Sequence, residues 1–323
     1  MRRMKTDRLR SGLRDQGRSA PRCFSWNRPV SGYVLTVMRC TSLFIALTVC
    51  SLASVPSLAQ SDWSKVYPAP GKPSVALEIS DGDLQVRSCG ECREVRIRVE
   101  WNGHKPENYR MEENQTGDNI HFLLKERPGT RLGFRAGFLQ TGLLVMVDAP
   151  AELSLDAHTS DGRVTLADLH GELSLQSGDG SVDVDNVEGN LRLRSGDGSV
   201  KVENSRGALD ARVSDGAFTA DGVFHLLAVQ VSDGRLDLTL REGSKLTDPS
   251  SIKSSDGPVR LRLPRDLAAD LDVHSNDGHV SFFFPILLDH YDSGKNGLRG
   301  KLNGGNVPLT IRTGDGNISI EPL

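Results

Sequence analysis

Asp161-Gly162-Arg163-Val164-Thr165-Leu166-Ala167-Asp168-Leu169-His170-Gly171-Glu172-Leu173-Ser174-Leu175-Gln176-Ser177-Gly178-Asp179-Gly180 decides the fold. An Asp-Gly pair opens it and another closes it, and the pair recurs at Asp197-Gly198, Asp215-Gly216 and Asp233-Gly234, always 18 residues on. Halfway between stand Gly171, Gly189 and Gly207. Self-similarity at a fixed period marks a stacked-repeat architecture.

Within each half-repeat the apolar spacing is two. One pair of columns reads Val164, Val182, Val200, Phe218, Leu236 and Leu166, Val184, Val202, Ala220, Leu238. The other half gives Leu173, Leu191, Leu209, Leu227 and Leu175, Leu193, Ala211, Val229. Polar residues such as Thr165, Asp183 and Lys201 alternate with them. Period two means strands with one buried face, and a helix would need three or four. The expected fold is therefore all-β: a parallel β-solenoid of 18-residue coils, two strands per coil, with irregular β caps. Stacked coils would set each strand about 4.8 Å from its copy. Phe218 faces small Ala220 and Ala211 in the neighbouring columns, as a close-packed layer requires. Outside, Asp183 precedes Lys201 by one coil and Arg192 precedes Asp210, which places opposite charges side by side.

Gly162, Gly180, Gly198, Gly216 and Gly234 are read as turn residues with positive φ, which glycine adopts without strain. The preceding aspartate, or Ser160, Ser214, Ser232 and Ser255 before it, is expected to accept hydrogen bonds from turn amides.

Before the regular repeat lie Val75–Val86, with its own Ser80-Asp81-Gly82, and strand candidates Val95–Trp101, Asn119–Lys125 and Leu143–Val147. After it come Asp256-Gly257, Asp277-Gly278 and Asp315-Gly316, whose spacing stretches. Residues 60–150 are read as an N-terminal β cap segment and 151–323 as the solenoid with its C-terminal cap. Residues 162–238 alone are not expected to fold, because terminal repeats need covering. The run Phe282-Phe283-Phe284-Pro285-Ile286-Leu287-Leu288 is open to two readings, a capping lid or an exposed partner-binding patch.

Residues 1–37 are arginine-rich and unpatterned, a basic extension that translation from Met38 would omit. Residues 38–59 have the layout of a secretory signal peptide: Arg39, the apolar run Leu43–Leu52, then Ser57-Leu58-Ala59. An uncleaved anchor and lipidation at Cys50 are the alternatives. The run is short for a membrane span, and none is expected in the mature chain. Residues 1–59 hold 10 Lys+Arg against 2 Asp+Glu, so of the formal net charge of −3 the remainder carries −11. An acidic body argues against nucleic acid as partner.

Export leaves Cys89 and Cys92 as the mature chain's cysteines. A local disulfide across a turn between Leu84–Arg87 and Val95–Val99 is the first reading. A redox site would want a helix after the motif, and zinc would want two more ligands.

The stretch Leu144-Val145-Met146-Val147-Asp148-Ala149-Pro150, followed by Leu153-Ser154-Leu155 and Thr159-Ser160-Asp161-Gly162-Arg163-Val164, resembles the entry to the repeat of a bacterial "putative adhesin" domain family of unknown function, DUF4097-like. The close is similar too: Gly304-Gly305, then Pro308-Leu309-Thr310-Ile311-Arg312-Thr313-Gly314-Asp315-Gly316-Asn317-Ile318-Ser319-Ile320. The resemblance spans residues 75–323. It implies an exported β-strand-repeat protein of the envelope or surface, in the periplasm or outside, and supplies no catalytic residues. The sequence departs from the family at His225, where glycine is expected, and in the phenylalanine-rich insertion.

Asp161, Asp179, Asp197, Asp215 and Asp233 would stack along one edge, where like charges repel. They are candidate Ca²⁺ ligands, against the reading as turn acceptors. The opposite turns (Glu188-Gly189, Arg206-Gly207) lack the nonapeptide that Ca²⁺-binding rolls carry in both halves. No hydrolase or phosphate-loop motif occurs. His158, His170 and His225 are expected at turns or rims. An exported non-catalytic module with a protein or glycan ligand and no cofactor is the leading expectation. A passive structural part, a Ca²⁺ roll and a polysaccharide-acting enzyme are the alternatives.

Overall fold

The computed structural model describes residues 62–128, 142–284, 287–291 and 296–323. The proposed signal segment, residues 1–37 and Pro285-Ile286 lie outside them. The described chain is all-β, with one short 3₁₀ turn at Pro106–Asn108. Its strands are β1 (Trp63–Pro68), β2 (Ser74–Asp81), β3 (Asp83–Ser88), β4 (Glu94–Glu100), β5 (Tyr109–Thr116), β6 (Asn119–Glu126), β7 (Leu144–Ala149) and β8 (Glu152–Asp161). The repeat proper gives β9 (Val164–Ala167), β10 (His170–Asp179), β11 (Val182–Asp185), β12 (Glu188–Asp197), β13 (Val200–Asp215), β14 (Phe218–Asp233) and β15 (Leu236–Leu240). Then follow β16 (Ser250–Asp256), β17 (Val259–Leu263), β18 (Ala269–Ser275), β19 (Val280–Phe282), β20 (Leu287–Tyr291), β21 (Gly297–Leu302), β22 (Pro308–Thr313) and β23 (Ile318–Pro322).

The pairings trace two ribbons. The first runs β5-β6-β2-β8-β10-β12-β13-β14-β16-β22-β18-β21-β20. The second runs β1-β4-β7-β3-β9-β11-β13-β14-β15-β17-β23-β19. The long strands β13 and β14 enter both. Through the repeat, partners are parallel and 18 residues apart: Val164 with Val182, Val182 with Val200, Leu173 with Leu191, Leu191 with Leu209. Every residue of the four apolar columns is buried, and all belong to one continuous core. Phe218 lies between Val200 and Leu236, with Ala220 buried between Val202 and Leu238.

The sheet is mixed rather than parallel throughout. Among the described residues β1/β4, β4/β7, β5/β6, β18/β21 and β20/β21 are antiparallel. Antiparallel neighbours can be joined by tight turns, as β5 and β6 are, whereas parallel ones need a crossover.

Both ends also depart from chain order. At one end β2 and β3 lie between the repeat (β8, β9) and the strands next in the chain (β6, β7). At the other, β22 and β23 lie between β16/β17 and β18/β19. Each of these two strand pairs is thus flanked on both sides, so its amides and carbonyls find partners in either direction.

His225 marks a local slip. From Ser205–Gly222 to Gly207–Phe224 the offset between β13 and β14 falls to 17, and it returns to 18 at Ala208–Leu226. His225 is the extra residue that restores the register, exposed and opposite no partner, which is how a bulge admits a non-glycine.

Candidate functional site

The sequence-predicted aspartates do come together. Asp81, Asp161, Asp179, Asp197, Asp215, Asp233 and Asp256 are successive register partners along one exposed edge. Their structural role differs from expectation. The turn is fixed by main-chain carbonyls: Gly162 N–H donates to Asp179 O at 3.2 Å, Gly180 N–H to Asp197 O at 3.0 Å, and Gly198 N–H to Asp215 O at 3.0 Å. The bond therefore runs to the next repeat, not from a turn amide back to its own aspartate side chain. The carboxylates are left facing one another. Asp161 is raised above the ordinary carboxylate range by withdrawal from water, then by a hydrogen bond with and repulsion from Asp81. Asp215 is raised by withdrawal from water, then by Asp197 and Asp233. Among the described residues no group of three or more His, Cys, Asp or Glu is arranged to hold a metal ion.

The turn glycines are doubly required. Gly180 has φ 129°, and a Cβ there would sit 2.1 Å from the Gly162 carbonyl oxygen. Gly162, Gly198, Gly216 and Gly234 share the positive φ.

Beside the aspartate edge, on the outer face of the first ribbon, runs a row of another character. Its successive partners are His158, Gln176, Arg194, Arg212, Gln230, Lys253, Arg312 and His274. Arg312 is bound, with Nη2 donating to Asp272 Oδ2 at 2.7 Å and Nη1 to Oδ1 at 3.0 Å. Arg194, Arg212 and Lys253 are exposed. Between this row and the aspartates the outward positions are all small (Gly178, Gly196, Ser214, Ser232), while Val213 and Val231 turn to the core, so the surface sinks into a trough. One groove of about 370 Å³ is lined by Arg194, Arg212, Gln230 and the serines Ser177, Ser195 and Ser214 among others. A second, of about 460 Å³, adjoins it through Gln230 and continues to Lys253 and Arg312. Ser177 and Ser195 are each 6% exposed, and their Oγ atoms have no hydrogen-bond partner.

The remaining predicted features fall elsewhere. Cys89 and Cys92 are joined in a disulfide in the connection from β3 to β4. Those strands are not a hairpin, because β7 lies between them. On the outer face Arg192 Nε lies 3.7 Å from Asp210 Oδ2, whereas Lys201 Nζ turns to Glu203 Oε2 of its own strand at 2.8 Å. Phe282 and Phe284 pack on the core with ring centroids 5.7 Å apart, and Phe283 is 62% exposed. His158 and His170 are exposed, as expected of rim residues.

Sequence reasoning missed two columns. Asp168, Asn186 and Asn204 all have positive φ near 50–60° and form the second corner of each repeat. Asn186 Nδ2 donates to Asp168 Oδ1 at 2.6 Å. Asn and Asp tolerate this left-handed conformation better than other side chains, and their 18-residue spacing was a usable signal. The basic row was the other miss. Arg194 and Arg212 keep the period, but loops displace Lys253 and Arg312 from it.

A family profile described as Toastrack DUF4097 matches residues 74–321. Among solved structures, a "putative adhesin" from Bacteroides fragilis is 9% identical, with 81% of this chain and 98% of that chain covered and a TM-score of 0.34. A "putative cell adhesion protein" from Clostridium sporogenes is 12% identical over 81% of this chain and 100% of that one, with a TM-score of 0.29. No curated protein matches the chain.

Proposed function

The chain belongs to the Toastrack DUF4097 family, and from that premise we propose that it is an exported, non-catalytic β-repeat module that binds a ligand of the cell envelope or surface. The repeat is read as a β-solenoid in which each 18-residue coil gives one strand to each ribbon. The constant parallel offset of the partner strands supports this.

The observation that carries the binding reading is the grooved outer face, where one register row brings like side chains to even spacing beside a trough of small residues. Such a face suits an extended or repetitive ligand. The non-catalytic reading is supported by the sequence motifs. The sequence carries no hydrolase or phosphate-loop motif. Export is supported by the signal-like segment ahead of an acidic, disulfide-bearing body. No helix among the described residues is long and apolar enough to cross a membrane.

The test is retention of the purified protein on isolated envelope fractions, together with protease accessibility on intact producing cells. Saturable retention and an envelope location are the expected results. A cytoplasmic location, or no retention on any fraction, overturns the reading.

A further inference from the structure

We propose that the trough along Arg194, Arg212 and Lys253 is a binding site for an acidic glycan, a linear polysaccharide carrying carboxylates. The inference rests on the binding-module reading and names the ligand class for it.

Three observations converge. First, Arg194 and Arg212 are direct register partners, so their Cα atoms are about 4.8 Å apart. Like charges set side by side on a sheet destabilise it unless something offsets them. Among the described residues neither arginine, nor Lys253, takes part in an ion pair within 4.0 Å. By contrast the next cation of the row, Arg312, is held by Asp272. The unpaired cations stand where an external anion would satisfy them. Second, the groove beside them is floored by the outward-facing Gly196, Ser214 and Ser232, which leave room for an extended chain and offer it serine hydroxyls. The side chains of Ser177 and Ser195, in register with buried Val213, point to the core side of the sheet and take no part in it. Third, the floor is made of serine, glycine and Gln230 and offers no apolar pocket for a peptide side chain. Sugar hydroxyls match it, and carboxylates match the cations.

Charge density separates this ligand from nucleic acid. The aspartate edge runs parallel to the basic row, three residues away along each strand. Duplex DNA carries one negative charge per about 1.7 Å of axis and would meet that edge as well as the arginines. A polyuronate has one carboxylate per sugar and can set each against a cation.

The experiment titrates the full exported chain with polygalacturonate, with the same polymer fully methyl-esterified, and with duplex DNA. Binding to polygalacturonate that weakens with salt and is absent for the neutral ester is expected. Arg194→Glu/Arg212→Glu should weaken it at least tenfold, with an unchanged circular-dichroism spectrum. The charge-matched control Arg206→Glu/Arg235→Glu, outside the groove, should not. Equal binding of ester and acid, tighter binding of DNA, or indifference to Arg194→Glu/Arg212→Glu overturns the proposal. If that variant still binds envelope fractions like the parent, the site fails and the module reading stands. If neither protein binds them, both fail.

Discussion

Asp81 and Asp161 are register partners on adjacent parallel strands, although the whole of β3 to β7 lies between them in the chain. The segment Ser74–Ser88 is therefore one more turn of the repeat, and residues 89–151 are an insertion whose strands lie outside it. The pairing also starts the exposed acidic edge.

That edge has a predictable response to acid. Asp161 and Asp215 are raised in the folded chain by withdrawal from water and by their aspartate neighbours. A carboxyl raised on folding binds its proton more tightly in the native state. It therefore costs stability at neutral pH; the cost fades as pH falls through the raised native value and is gone below the unfolded value of about 3.9. Asp215→Asn should raise the melting temperature at pH 7, and the gain over the parent should vanish near about pH 3.5. Differential scanning calorimetry at the two pH values measures it; an equal gain at both would show that charge is not the cause.

Asp272 behaves oppositely. Arg312 first, then Arg299, holds its carboxyl below the ordinary range, so this cluster contributes stability above the unfolded pKa that is lost as pH falls through the lowered value. Asp272→Asn should cost about 1 kcal/mol at pH 7, since the side chains are about one-third exposed and screened. Urea titration reads this directly, and an unchanged midpoint would discount the cluster.

Gly180→Ala should be severe, at least about 3 kcal/mol, because it combines strain at φ 129° with a Cβ 2.1 Å from a carbonyl of the neighbouring repeat. Gly90→Ala is the comparison: φ is 76°, nothing lies within 4 Å, and about 1 kcal/mol is expected. Equal costs in denaturant unfolding would remove the close-approach argument.

Removing residues 62–141 should leave residues 142–323 unable to fold as a monomer. β8 and β9 would lose β2 and β3, and Leu155 and Val164 would lose Val75 and Leu84. Aggregation on gel filtration is expected, since a bare parallel edge is a template for other chains. A monodisperse, β-rich fragment would contradict this.

The central columns were legible because burial alternates strictly with period two and every repeat has equal length. What was not legible has identifiable causes. Asp256, Asp277 and Asp315 announce three more turns in chain order, but Gly316 sits on Gly257 and Gly278 sits on Gly316, so the order in space is exchanged. A recurrence says that residues occupy equivalent places, not which copy is next. β1 and β5 escaped notice because they lie at ribbon ends and each buries a single residue, Tyr67 and Tyr109 respectively. Without an alternating face there was no pattern to read. For the candidate groove, Arg194 and Arg212 were in plain view at the right spacing. Their meaning depended on both lacking an acidic side chain within reach among the described residues of the folded chain, which only the packing reveals.

The glycine amide of each repeat donates to the aspartate carbonyl of the following one, from Gly82 through Gly234. Every unit thus receives from one neighbour the same bond that it offers the other. Insertion or excision of a whole unit restores an identical joint, so the molecule can lengthen or shorten in integer steps while both termini stay as they are. Evolution and engineering alike are then free to set the reach of its outer face by counting units rather than by redesigning any of them.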